Sequence, residues 1–305
     1  MRRAAPLLLA LCALAGCGLG AGRSASGVSL TVSEDFGAHP LVQTDQPRHG
    51  GSDTVMRLLE RNARVSTRYG GGFVQSIDGR AGGRSAGSPV DWFYYVNGIE
   101  APRGATSTKV HDGDRVWWDR HDWRATMSIP AVVGSFPEPF LHGSDGKRLP
   151  VRIECAQPQG ADCNHVSDEL VKLGLVPGKA AIGSDPGQDT LRVLVGPWPA
   201  LRADRAAALL EKGPRASGVY AQISGDGRRI DALDAGGKVA RRLGPGTGLV
   251  AATRLSGQEP AWILTGTDPA GVGAAVSAFG QGETTLGDKF ALAISNGLGV
   301  GLPVP

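Results

Sequence analysis

The chain has few of the features that announce a chemical activity. Its six histidines, at positions 39, 49, 111, 121, 142 and 165, include no His-Glu-x-x-His and no pair at metal-ligand spacing on one predicted element, which argues against a zinc hydrolase. Ser135 and Ser144 lack the Gly-x-Ser-x-Gly elbow of a hydrolase nucleophile. A Walker loop and a Gly-x-Gly-x-x-Gly fingerprint are both missing, which excludes the usual nucleotide cradles. Long runs of Lys and Arg are missing too, and the aromatics are not interleaved with basic residues, so nucleic acid is set aside as a partner. The nearest approach to a metal or hydrolytic cluster is His111 and His121 beside Asp112, Asp114, Asp119 and Asp122, and Asp-rich turns of small β domains account for it. The expectation is a protein with no catalytic residues, no metal and no cofactor.

Long hydrophobic runs are lacking as well. Arg2 and Arg3 precede an apolar run at residues 7–14, too short to span a bilayer, which ends Leu14-Ala15-Gly16-Cys17. This resembles a bacterial lipoprotein signal, in which Cys17 receives lipid and becomes the first residue of the mature chain. The alternative is a plain secretory signal cut near Ala21. Either way the chain is expected to be exported, with the outer face of the bacterial cytoplasmic membrane as its address. Residues 18–27 are mostly Gly, Ala and Ser and read as a flexible tether. Losing Arg2 and Arg3 takes the formal charge from +3 to about +1. Of the four cysteines only Cys155 and Cys163 remain past the signal, and in an exported protein they are expected to form a structural disulfide. A free dithiol or a metal pair would need further ligands, and none sits nearby in the sequence.

What the chain does have is an uneven distribution of aromatic rings. Nine of its seventeen Phe, Tyr and Trp residues lie between Tyr69 and Trp123. Asp91-Trp-Phe-Tyr-Tyr-Val-Asn97-Gly98 reads as a strand and tight turn, and Asp112-Gly113 as a second turn ahead of a strand at residues 115–119. Alternation puts Trp92, Tyr94 and Val96 on one face and Phe93 and Tyr95 on the other, so the strand is expected to be central. Likewise Arg115 and Trp117 oppose Val116 and Trp118. Ser52 or Asp53 is placed to cap a helix on which Val55, Leu58, Leu59 and Ala63 form an apolar stripe.

Over residues 28 to about 123 the sequence resembles the transcobalamin C-terminal-like domain, a small β-grasp-type module. The matching stretches are residues 28–32, Gly51-Ser-Asp-Thr-Val55 running on to Leu59, and Tyr69-Gly-Gly-Gly-Phe73-Val-Gln-Ser-Ile77-Asp-Gly79. They continue with Trp92-Phe-Tyr-Tyr-Val-Asn97-Gly98 and Asp112-Gly-Asp114-Arg-Val116-Trp117-Trp118. The resemblance implies a β-grasp fold and a wall of a cobalamin site, although the helical domain that supplies the other wall in the vitamin carriers is not visible here.

Beyond a Gly- and Pro-punctuated stretch at residues 130–150 the pattern changes class. Strands are expected at 151–154, 190–195, 249–253, 261–265 and 291–295, and a three-stranded meander at 218–223, 228–233 and 238–243. Helices are expected at 165–173, 201–212 and 270–279, the last capped by Asp268 with Pro269 at its first position. The loop from Gly266 to Gly273 opens that helix and reads as a structural turn, with an anion site as the lesser alternative. The fold class is therefore α+β, an N-terminal β-grasp-like domain followed by an α/β domain with a mixed sheet. The domain plan is signal 1–17, tether 18–27, transcobalamin-like domain 28–125, linker 126–150 and α/β domain 151–305.

The expected function is non-catalytic ligand binding by a membrane-anchored lipoprotein. Tyr69, Phe73, Trp92, Tyr94, Tyr95, Trp117 and Trp118 are the candidate ligand-binding residues, because rigid rings suit a flat, partly apolar molecule. By resemblance that ligand is cobalamin or another corrinoid, delivered to an uptake transporter. The alternative is a surface adhesion or interaction scaffold that binds protein or carbohydrate.

Overall fold

The computed structural model describes residues 25–185 and 187–305; the signal segment and Cys17 lie outside the described residues. The first half contains strands β1 (Ser29–Glu34) and β2 (His39–Thr44), helix α1 (Val55–Asn62), and strands β3 (Val65–Arg68), β4 (Phe73–Ile77), β5 (Arg80–Ala81), β6 (Gly83–Ser85), β7 (Ser88–Val96), β8 (Ile99–Glu100) and β9 (Arg115–Asp122). The main sheet runs β2-β1-β9-β7-β6, with β8 paired to β7, while β3, β4 and β5 form a separate small sheet. β1 and β9 are neighbours and parallel, and β7 is antiparallel to β9. Bringing the first and last long strands together in parallel, with one helix crossing between them, is the β-grasp-like arrangement expected from the sequence.

One local expectation needs correction. The cap of α1 is Thr54, whose side chain accepts from the Arg57 amide, and not Ser52 or Asp53. Ser52 is committed to a left-handed turn, and Asp53 is buried and accepts hydrogen bonds from Gly50 and Arg61. β7 is not an edge strand, as expected: it lies between β9 and the short strands β6 and β8. The Asn97-Gly98 turn is as expected, with both residues at positive φ and Val96 paired to Ile99.

The second half contains β10 (Val151–Cys155), α2 (Ala161–Lys172), β11 (Gly178–Ala181), β12 (Leu191–Val195), the one-turn helices α3 (Trp198–Leu201) and α4 (Pro214–Ser217), and the antiparallel meander β13 (Ala221–Ile223), β14 (Ile230–Leu233) and β15 (Val239–Leu243). β16 (Gly248–Thr253), β17 (Ala261–Gly266), α5 (Pro269–Gln281), the short α6 (Glu283–Leu286), β18 (Ala291–Ser295) and β19 (Leu298–Leu302) complete it. Seven strands form a mixed sheet in the order β11-β10-β12-β17-β16-β18-β19, parallel from β11 to β17 and antiparallel beyond. Cys155 and Cys163 are joined, which ties the end of β10 to the first turn of α2. The single helix expected over residues 201–212 is broken. Asp204 accepts from the amides of Ala206 and Ala207, and only a 3₁₀ segment at Ala207–Lys212 follows.

Each of the two larger sheets is covered on both faces. On one face of the first sheet α1 lays Val55, Leu58 and Leu59 against Leu30, Val32, Trp92, Val116 and Trp118. On one face of the second, α2 and α5 cover Ile153, Val193, Trp262 and Leu264. The two remaining faces share a single apolar cluster, in which Phe36, Tyr95 and Trp117 of the first half join Leu194, Ile263, Tyr220 and Phe290 of the second. Residues 130–150, expected to be a linker, are threaded through this assembly. Val132, Val133, Phe136 and Phe140 are buried, and the amides of Val132 and Val133 donate to Gly98 and Phe290. Apolar residues between the Pro and Gly positions make the stretch part of the core. Among the described residues no helix is long and apolar enough to cross a membrane.

Candidate functional site

The seven aromatic candidates separate sharply. Trp92, Tyr95, Trp117 and Trp118 are at most 6% exposed and offer a ligand almost no surface. The cause is the double cover: Trp92 and Trp118 face α1, whereas Tyr95 and Trp117 face the second half. The Trp92 indole donates to the Arg80 carbonyl at 2.9 Å and that of Trp117 to Ser33 Oγ at 2.8 Å. Tyr94 is half-buried, stacks on Trp118 at 4.9 Å, and shares its hydroxyl with the Arg103 carbonyl and Thr108. Burial pushes that phenol up from its ordinary pKa, so it stays a neutral structural bridge.

Only Tyr69 and Phe73 remain as accessible rings. Tyr69 is 87% exposed and Phe73 39%, with ring centroids 6.3 Å apart in an edge-on arrangement. They sit at the tip of the β3–β4 hairpin, where Arg68 pairs with Phe73 and Tyr69, Gly70 and Gly71 all adopt left-handed backbone. A Cβ at Gly70 or Gly71 would meet nothing, so these glycines answer to conformation rather than crowding. Tyr69 holds φ 53° without being glycine, and a bulky side chain in that region is a strained placement that turns its ring away from the sheet.

The Asp and His residues of β9 resolve into a structural hub. The Asp119 carboxylate is fully buried and receives the Ser33 hydroxyl at 2.5 Å, the Phe36 and Gly37 amides at 3.0 and 2.8 Å, and His121 Nδ1 at 2.8 Å. Ser33 donates to the carboxylate and not to the imidazole, so no nucleophile–base relay is formed. His121 is stacked between Phe36 and Phe93, with centroids 4.6 and 4.4 Å away. His111 belongs to a different turn and faces Asp114. Among the described residues no group of three or more His, Cys, Asp or Glu side chains is placed to hold a metal ion.

The glycine-rich loops of the second half pack against each other. Asp268 caps α5 by accepting from Gly271 at 2.9 Å, and its second oxygen accepts from Gly246 at 2.7 Å. These bonds hold its carboxyl below the ordinary value. A Cβ at Gly248 would stand 2.4 Å from the Gly271 carbonyl oxygen, and one at Gly266 2.3 Å from its carbon. Close approach of backbones explains the glycines, and Asp268 occupies the start of the helix.

Two openings were not anticipated from the sequence. A cleft of about 670 Å³ lies where the halves meet and is lined by Phe36, His39, Asp122, Lys289, Leu302 and Val304. A groove of about 590 Å³ lies beside Lys109 and His111. Both join segments more than 100 positions or several turns apart, so no local pattern marks them.

Residues 52–122 match the model of a domain family of unknown function, DUF4430, a family associated with transcobalamin-like domains. The match runs from the turn before α1 to the end of β9 and leaves the second half outside it. No curated protein matches the chain.

Proposed function

We propose that the chain is an extracytoplasmic, lipid-anchored, non-catalytic binding protein that presents the Tyr69–Phe73 tip to a flat, partly apolar ligand. The exposure of this one ring pair, in a molecule that buries most of its other aromatics, carries the reading. A corrinoid is the ligand favoured by the transcobalamin-like family of residues 52–122, with an uptake transporter as the receiver. On this reading residues 28–125 bring the ligand edge and residues 151–305 bring a second wall or the partner's docking face. The tip supplies one wall only, so affinity would depend on that second surface.

An interaction scaffold is the second reading, favoured by the burial of Trp92, Tyr95, Trp117 and Trp118. Equilibrium dialysis of cobalamin, and of a corrinoid lacking its lower base, against the exported chain and its Tyr69→Ala/Phe73→Ala variant separates the two. Saturable binding that the double variant loses supports the corrinoid. Absence of saturation up to high micromolar concentration rejects it and leaves protein or carbohydrate as the partner.

A further inference from the structure

The groove beside Ala25 lies between the turn at residues 109–113 and the loop at residues 141–148. Four basic side chains reach its wall: Lys109, His111, His142 and Arg148. The two imidazoles are held in place rather than scattered. A buried carboxylate stands behind each, Glu138 Oε1 at 2.5 Å from His142 Nδ1 and Asp114 Oδ2 at 3.5 Å from His111 Nδ1. Each ring also lies over a left-handed glycine of the opposite segment. A Cβ at Gly113 would stand 2.3 Å from His142 Nε2, and one at Gly146 2.6 Å from His111 Cδ2. The two loops therefore interlock through their histidines.

Lys109 and Arg148 are exposed, and neither side chain has an ion pair or hydrogen bond with another described residue. Asp112 also lines the groove and accepts from the Ser26 amide at 2.7 Å and hydroxyl at 3.2 Å. Two unpaired cations beside the imidazoles repel a metal ion, and charge complementarity favours an anion. We propose that this groove binds a phosphate-bearing anion through Lys109, Arg148 and the two imidazoles, and that the anion is the headgroup phosphate of an anionic phospholipid.

The choice of source rests on the proposed lipid anchor at Cys17. Residues 18–24 separate that anchor from Ala25 at the rim, and at ~3.5 Å per residue they keep the groove within roughly 30 Å of the bilayer. Basic groups that close to an anionic surface are drawn to it. The groups that face those rings are Asp112 in the wall, Asp114 and Glu138 behind, and Arg103, Asp145, Arg254 and Glu259 in the adjoining depression, where Arg103 is paired with Asp145.

The test uses the exported chain, residues 18–305, without lipid on Cys17. Histidine resonances are followed by NMR as inorganic phosphate is added, and flotation is compared with phosphatidylglycerol and phosphatidylcholine vesicles. The expected result is phosphate-dependent shifts confined to His111 and His142, and flotation with phosphatidylglycerol but not with phosphatidylcholine. Lys109→Ala combined with Arg148→Ala weakens both by about tenfold, with near-UV circular dichroism confirming the fold. Tyr69→Ala leaves both unchanged, so failure of the aromatic-tip reading is distinguishable from failure of the groove. Unmoved histidines in millimolar phosphate overturn the anion site. Phosphate shifts without preference for phosphatidylglycerol overturn the headgroup assignment.

Discussion

Rings between Trp92 and His121 are gripped from two sides, whereas those at the hairpin tip touch mainly each other. Phe290 shows how the grip works. It enters from the second half and meets Phe36, Tyr95, Trp117 and His121 with centroids 5.1 to 5.5 Å away. Gly37 and Gly134 make room for the same contact. A Cβ at Gly37 would be 2.1 Å from the Asp288 carbonyl oxygen, and one at Gly134 would crowd Trp117 and the Lys289 backbone. Aromatic density in β7 and β9 is thus explained by packing on two faces, Trp92 and Trp118 under α1 and Tyr95 and Trp117 against the second half, while the tip rings stay exposed. The two regions should respond to mutation in opposite ways.

The largest effect is expected at Asp119. Asp119→Ala strips the acceptor from Ser33, Phe36, Gly37 and His121 in a dry interior, leaving donors unsatisfied, at a cost of about 4 kcal/mol. Urea denaturation monitored by tryptophan fluorescence reads this directly. A loss under about 1 kcal/mol would mean the hub does not hold the halves together, and the comparison would fail.

Tyr95→Phe tests the same interior with the opposite sign. The Tyr95 hydroxyl is fully buried with no hydrogen-bond partner among the described residues, and its pKa is raised well above the ordinary value, chiefly by burial with Glu100, Asp119 and Tyr220 adding to the rise. Removing an unsatisfied polar group without changing the packing should stabilise the fold by about 1 kcal/mol. Destabilisation by a similar amount would show that the hydroxyl is satisfied by trapped water.

Much of this architecture was legible beforehand, and the limits have physical causes. The α+β class, the alternation of Trp92 against Tyr95, the meander, the Asp268 cap and the Cys155–Cys163 bond rest on local periodicity, turn chemistry or cysteine count, all of which a sequence displays. The burial of Tyr95 and Trp117 does not. Alternation says which rings share a face, but the cover on that face comes from Phe290 and Tyr220, more than 100 positions away. In residues 130–150 the Pro and Gly punctuation drew the eye to a connection and not to the burial of Val132, Phe136 and Phe140. The residue-201 helix was misread because Ala-rich propensity hid the capping capacity of Asp204. The groove at Lys109 joins two loops by tertiary packing alone.

A smaller effect should follow pH. Burial raises the carboxyls of Glu100, Asp114, Asp91 and Glu259 above their ordinary values. Folded-state pKa values above the unfolded ones mean that these groups contribute stability that is fully present below the ordinary carboxylate range and is lost as pH rises through the raised values. Mild acidification from neutral toward those values should therefore raise the Tm modestly. Asp268, held below its ordinary value, acts in the other direction and only at lower pH, as its cap protonates. Glu100→Gln should flatten the first response, since its carboxyl lies at the junction of the halves, where Ser128 donates to it. A Tm that instead falls steadily from neutral pH would place the dominant titration elsewhere.

The smallest stability change is expected at the tip, and its smallness is informative. Tyr69→Gly relieves a left-handed backbone costing about 1 kcal/mol and adds a comparable loss of chain entropy, so the two nearly cancel. The ring itself buries little, being 87% exposed. Stability should stay within about 0.5 kcal/mol of the parent while corrinoid or partner binding falls, which is the reverse of Tyr95→Phe, where stability moves and binding does not. If Tyr69→Gly destabilises the chain by more than about 1.5 kcal/mol, the tip is held by contacts its exposure does not reveal, and the Tyr69–Phe73 pair joins the structural rings. If stability and binding both stay unchanged, the strained tyrosine has no recognition role and the ligand edge must be sought at the cleft beside Phe36.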